Sequence, residues 1–263
     1  MLPLRGDARM RITLLPSAVG GGSDHQYLSS TLINDTVAVD AGCLGIWGSP
    51  QEQARIRHVL LSHTHMDHLA SLPIFVENAY EGKAECVTVH GSRAVLDCCQ
   101  EHLFNEKIWP DFIALSQGDK PFLRLSAFEP GQTIDVEGLR VTAVALDHVV
   151  PTVGFVISDQ RSSIAIVSDT GPTDEIWQRL NAAPNLKAVF VEATFPDELA
   201  WLAEVSKHLT PSTLGQQVAK LNRPTRLIII HLKARFKEQV ISQLQSLGVG
   251  GLEIGQAGVP YTF

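Results

Sequence analysis

Within the seven residues Ser62-His63-Thr64-His65-Met66-Asp67-His68 the chain places three imidazoles and one carboxylate. Neutral imidazole and carboxylate are the donors a zinc-type divalent ion takes, so the chemistry to consider first is metal-assisted hydrolysis. Spacing says how the donors divide. His63 and His65, two apart in extended chain, project to one side and can share an ion. Asp67 and His68, in a tightening turn, are aimed elsewhere and can hold a second. Chance is a poor account of the cluster, because each polar group at the end of a buried strand otherwise needs its own partner.

The elements around the cluster explain its placement. Arg57-His58-Val59-Leu60-Leu61 reads as a buried strand, and Leu69-Ala70-Ser71-Leu72, running toward Ile74, Phe75 and Val76, as the start of a helix. The donors thus sit on a strand-to-helix turn. The same device recurs along the chain. The strand Val141–Leu146 delivers Asp147-His148, Ile164–Ser168 delivers Asp169, Ala188–Val191 delivers Glu192, and Leu227–Ile230 delivers His231. In the first half, a hairpin turning at Asn34-Asp35 ends in Asp40, placed to orient a ligand histidine by accepting its second ring proton. Strands that aim their carboxyl ends at one place build a site there. His63, His65 and His148 are expected on one ion and Asp67, His68 and His231 on the other, with Asp169 bridging.

Further elements follow from pattern. The opening strand is Arg11–Leu15, and a helix begins near Ser92 and is expected to run until Pro110 stops it. Phe104, Trp109 and Phe112 in that stretch either pack over the mouth of the site or plug the core. Strands are expected at Phe122–Phe128 and Val153–Ile157, and helices around Trp177, over Ser212–Leu221 and over Ala234–Leu247. Gly20-Gly21-Gly22-Ser23 is a turn or a site-lining loop. It is not a phosphate-binding loop, because no Gly-Lys-Ser/Thr follows.

Composition narrows the class. With 263 residues and 44% hydrophobic content the chain can bury a sizeable α/β core. A formal charge of −7 disfavours a long nucleic-acid partner. No stretch resembles a membrane span or a secretory signal, so the cytoplasm is the expected location, and Met10 is itself a candidate start. Cys43, Cys86, Cys98 and Cys99 fit no metal-knuckle or redox spacing and are read as free thiols.

Asp40, His63-x-His65-x-Asp67-His68, His148, Asp169 and His231 come in the order and context of the metallo-β-lactamase superfamily, which this chain resembles over nearly its whole length. The resemblance implies a single α/β domain, residues 1–263, folded as a four-layered αβ/βα sandwich. Within the superfamily, Ser62 to Leu72 is similar to the signature of class II cyclic-nucleotide phosphodiesterases, with Met66 in place of the usual leucine. Phe104-Asn105-x-x-Ile108-Trp109-Pro110-Asp111-Phe112, Val191-Glu192-Ala193-Thr194-Phe195-Pro196 and His208-Leu209-Thr210-Pro211 look like further landmarks of that family.

What this implies is hydrolysis of 3′,5′-cyclic AMP or GMP to the 5′-nucleotide by a water shared between two divalent ions, zinc first, with manganese or iron as alternatives. Asp67 and His208 are implied to act in catalysis, His208 giving a proton to the leaving 3′-oxygen while Glu192 keeps it protonated. Asn105 and His208 are implied to contact substrate. The partners implied are a small-molecule cyclic nucleotide and a second copy of the chain. A ribonuclease Z-like nuclease, which shares the Glu-Ala-Thr-Phe stretch, a thioesterase or lactonase on the same fold, and a non-catalytic binding module are the rivals.

Overall fold

The computed structural model describes residues 9–17 and 27–263. The Gly20–Ser23 loop and Met1 lie outside them. Among the described residues fourteen strands form two sheets of seven. The first is ordered β14-β1-β2-β3-β4-β5-β6, with β1 Arg11–Leu14, β2 Thr31–Ile33, β3 Val37–Val39, β4 His58–Leu60, β5 Val87–Ser92, β6 Leu123–Phe128 and β14 Pro260–Thr262. The second is ordered β13-β12-β11-β10-β9-β8-β7, with β7 Thr133–Val136, β8 Leu139–Leu146, β9 Thr152–Ser158, β10 Ser163–Ile166, β11 Leu186–Glu192, β12 Arg226–Ile230 and β13 Leu252–Ile254. Each sheet is mixed. In the first, β3, β4, β5 and β6 run parallel and the other pairs are antiparallel. In the second, β10, β11, β12 and β13 run parallel and β7 to β10 antiparallel.

Three apolar clusters define the layers. The inward faces of both sheets meet in one, where Ile12, Val39 and Leu60 join Phe155, Ile166, Phe190 and Ile228. The outer face of the first sheet packs on helices through Val59, Leu61, Phe75, Val95 and Leu96. The outer face of the second does so through Val189, Val191, Ile229, Trp177, Leu214 and Val240. Helix, sheet, sheet, helix is the four-layered order expected. Parallel strands buried on both faces need such cover, and it explains why β11 and β12 are almost unbroken apolar runs.

The helices are α1 Pro50–Gln53, α2 Met66–Leu69, α3 Leu72–Ala79, α4 Arg93–His102, α5 Phe112–Leu115, α6 Glu175–Ala182, α7 Ala200–Ser206, α8 Pro211–Val218 and α9 Lys237–Ser246. No helix among the described residues is long and apolar enough to cross a membrane. The helix after the histidine turn begins earlier than expected. His65 is the N-cap of α2, so Asp67 and His68 stand in its first turns.

The region around Pro110 also differs from expectation. α4 ends at His102, well before the proline, and the chain then turns back on itself through a Phe104–Trp109 bridge. Asp111 caps α5 by accepting from the Ala114 amide at 2.9 Å, so Pro110 precedes a helix rather than ending one. Phe104 and Phe112 are buried in the outer cluster of the first sheet and Trp109 packs against it. The aromatics plug the core there. All four cysteines are free, and burial pushes the Cys43 thiol up to about 11 and Cys99 to about 12.

Candidate metal centre

The ends of β4 and β12 converge with the segment after α7 on Asp169, which follows β10 and is buried. Around its carboxylate stand the Nε2 atoms of His63 at 3.7 Å, His68 at 3.5 Å, His231 at 3.5 Å and His208 at 3.9 Å. His148 Nε2 lies 3.2 Å from His65 Nδ1, and His231 Nε2 lies 3.2 Å from Asp67 Oδ2. Two sets of donors separate within this group. His63, His65, His148 and Asp169 form one and Asp67, His68 and His231 the other, the donor atoms of each lying within 4.8 Å of one another. Asp169, His208 and His231 form a third such set.

The outer nitrogen of most of these rings is already engaged. His68 Nδ1 donates to Asp40 Oδ2 at 2.7 Å, and His148 Nδ1 donates to the Lys207 carbonyl at 2.9 Å. His231 Nδ1 meets the Thr194 hydroxyl at 2.9 Å, and His63 Nδ1 meets the Ser62 hydroxyl at 2.9 Å. Holding one nitrogen fixes the tautomer and turns the other inward with its lone pair free. Asp40 anchors more than His68, since it also accepts from the Ser62 amide and hydroxyl, each at 2.8 Å. Gly42 lets this loop approach the turn: a Cβ there would stand 2.0 Å from the Asp67 carbonyl oxygen.

Two backbone conformations belong to the same design. Asp40 and His231 each follow a parallel strand with φ of 60° and 57°, the left-handed region that non-glycine residues enter at a cost. The reversal redirects both side chains from the strand axis into the site.

The electrostatics suit cations. Burial, then the neighbouring His68, push His63 down to about 2, so it stays a neutral donor. Burial alone would raise the Asp169 carboxyl, but His231, His68 and His63 hold it well below the usual carboxylate range. Asp67 is lowered likewise, burial being outweighed by His231, His68 and Lys233. Among the described residues, His63 Nε2 and His68 Nε2 are buried with no hydrogen-bond partner. Orphaned imidazole nitrogens beside ionised carboxylates are what a divalent ion would satisfy. The donor set therefore fits the metal ions that such a site implies.

Beside the cluster, Glu192 at the end of β11 is fully buried and accepts four hydrogen bonds. Its donors are the Thr170 amide at 2.8 Å, the Leu209 amide at 3.1 Å, the Thr194 hydroxyl and His208 Nδ1 at 2.8 Å. Burial works against a charge on His208, yet Glu192 and Asp169 outweigh it and raise its pKa. Thr194 touches both Glu192 and His231, and so ties the acid–imidazole pair to the ligand set. Asn105 stands apart. Its amide donates to the Glu101 carbonyl and its oxygen accepts from the Lys107 and Ile108 amides, which makes it the keystone of its own turn. Sequence reading missed Ser62, Thr194 and Lys207 as supports. The first two were quoted within motifs without a role, and Lys207 contributes a carbonyl that no residue type advertises.

Two facing mixed sheets with this donor set define the metallo-β-lactamase fold, whose superfamily carries divalent metal ions at such clusters. Residues 45–232 match the beta-lactamase superfamily domain, and the chain belongs to that superfamily. Among its relatives is a probable 3′,5′-cyclic-nucleotide phosphodiesterase of Yersinia pestis, 25% identical over 228 residues, which cover 75% of this chain and 65% of the relative. A ribonuclease Z of Bradyrhizobium diazoefficiens is 22% identical over 239 residues, 71% of this chain and 75% of the relative. The crystal structure of unliganded yeast PDE1 superposes with a TM-score of 0.77 at 16% identity, over 98% of this chain and 100% of that one.

Proposed function

We propose that this chain hydrolyses 3′,5′-cyclic nucleotides to 5′-nucleotides. His63, His65 and His148 would hold one divalent ion, Asp67, His68 and His231 the other, with Asp169 between them; zinc is the first choice, manganese and iron the alternatives. When bound, such ions acidify a water and offset charge on the phosphoryl oxygens. In the net reaction the water oxygen bonds to phosphorus, the P–O3′ bond breaks, and O3′ takes a proton.

His208 supplies that proton from Nε2, the nitrogen that faces the cluster. Glu192, saturated by its four donors, keeps the ring charged and correctly turned. Asp169 gives its charge to the ions, so Glu192 is the partner that sustains the proton. Asp67 serves as a ligand at the edge of the site, where it is a quarter exposed. The observation that carries this reading is the His208–Glu192 pair beside the donor cluster. A hydrolase that must expel an alkoxide needs a proton donor there, and the phosphodiesterase named among the relatives supports the choice of bond.

The ribonuclease Z relatives favour a second reading, a nuclease acting on transfer RNA precursors. Purified protein, with its metal content measured, is to be assayed on cyclic AMP, cyclic GMP, a thioester, a lactone and a precursor transfer RNA. Release of the 5′-nucleotide is expected. Cleavage of the RNA with cyclic nucleotides untouched would replace the first reading by the second, and turnover of acyl substrates alone would dismiss both.

A further inference from the structure

The residues just beyond His231 have no task in the chemistry above. Lys233 caps a short 3₁₀ turn, Ala234–Phe236. Its Nζ lies 3.1 Å from Asp67 Oδ2 while its side chain stays 41% exposed. Its charge also reaches His208, where it opposes protonation. Asp67 pairs with this ammonium, and the exposed part of the side chain leaves room for a second acceptor. A phosphodiester oxygen is such an acceptor.

Aromatic rings continue outward from the same edge. His208 and His231 stack, with centroids 5.5 Å apart and planes 16° from parallel. Phe195 meets His208 edge to face at 5.6 Å, and Phe236 follows 6.2 Å from Phe195. The Arg235 guanidinium lies over Phe236, 5.8 Å from its centroid, and braces that ring. Both phenylalanines are partly exposed. Partly exposed flat rings beside a phosphate-binding site offer what a nucleobase stacks upon.

We propose, on the phosphodiesterase reading above, that Lys233 binds a non-bridging phosphoryl oxygen of the substrate and that Phe195 and Phe236 form the wall for its base. This places base recognition on the loops after β11 and β12 rather than on Asn105, the substrate contact that the family likeness implied. The test is calorimetric titration of the metal-loaded protein with inorganic phosphate and with 5′-AMP, for wild type, Lys233→Met and Phe236→Ala. Lys233→Met is expected to weaken both ligands by roughly tenfold or more, and Phe236→Ala to weaken 5′-AMP by roughly tenfold while leaving phosphate unchanged. Lys233→Arg and Phe236→Tyr, which keep the charge and the ring, should restore binding.

Unaltered phosphate affinity in Lys233→Met, or equal losses for both ligands in Phe236→Ala, would overturn the assignment. Loss of metal from Lys233→Met would overturn it too, because the lysine would then act through Asp67. Turnover of cyclic nucleotides is measured on the same wild-type sample. Absent turnover with the expected binding pattern removes the proposed reaction and leaves this subsite standing, whereas turnover with unaltered variants does the reverse.

Discussion

At His208 burial and charge oppose each other, and the carboxylate wins. Glu192 raises the ring's pKa above its ordinary value and so favours the acid form, which is what a leaving oxygen requires. Activity should therefore hold below that pKa and fall as pH rises through it. His208→Ala should lower kcat by roughly 10²–10⁴-fold with metal content intact. Glu192→Gln should move the falling limb of the kcat–pH profile toward acid, because the ring loses its main charge partner. A limb that stays in place would assign the titration to another group. At this scale the sequence was informative where chemistry resides in side chains: His63, His65, Asp67, His68, His148, Asp169 and His231 were all marked by strand ends. It was silent on the Lys207 carbonyl and on the turn that Asn105 holds, because residue types do not display local backbone geometry.

Strand β4 and its neighbour β5 carry a second histidine pair, away from the metal centre. His58 Nδ1 and His90 Nε2 lie 3.0 Å apart, with Glu137 3.6 Å from the other side of His58. Burial and the adjacent His58 push His90 down to about 4. The unfolded chain takes up this proton near 6.5 and the folded one only near 4, so stability is full above the first value and is lost as pH falls between them. Unfolding free energies from urea titrations at pH 7 and pH 4.5 should therefore fall more for wild type than for His90→Phe, by about 2 kcal/mol. Equal losses would mean that His90 does not titrate differently on folding.

Elements were legible in proportion to their burial. Runs such as Val141–Leu146 and Leu227–Ile230 announce themselves, but β7, β13 and β14 are short and escaped notice. β7 alternates over four residues and is paired through the Glu137-Gly138 turn, both in positive φ. β14 opens on a proline, tolerated because it lies at the sheet edge. Pro110 looked like a stop signal, but propensity could not tell the end of one helix from the approach to another.

On the scale of the whole molecule, the site is a seam. The histidine turn belongs to the first sheet, and His148, Asp169 and His231 to the second, so bound ions would fasten the two halves across their shared core. Metal should bind the folded state alone and raise its stability by mass action. Thermal unfolding of chelated protein titrated with zinc or manganese should show Tm rising by roughly 5–10 °C once metal reaches about 100-fold over Kd. His231→Ala should blunt that rise, and a Tm indifferent to metal would mean that the ions do not join the sheets. The four-layer order could be anticipated from family likeness, but which faces pair depends on contacts between remote segments, which local periodicity does not encode.

His231 follows Asp67 by 164 residues. During synthesis on the ribosome the early histidines emerge long before their late counterparts, offering an incomplete claw to any cation in the surroundings. Discrimination among ions can begin only when the second sheet has been made and docked, so the choice of metal would be settled by whatever supply the chain meets after that docking.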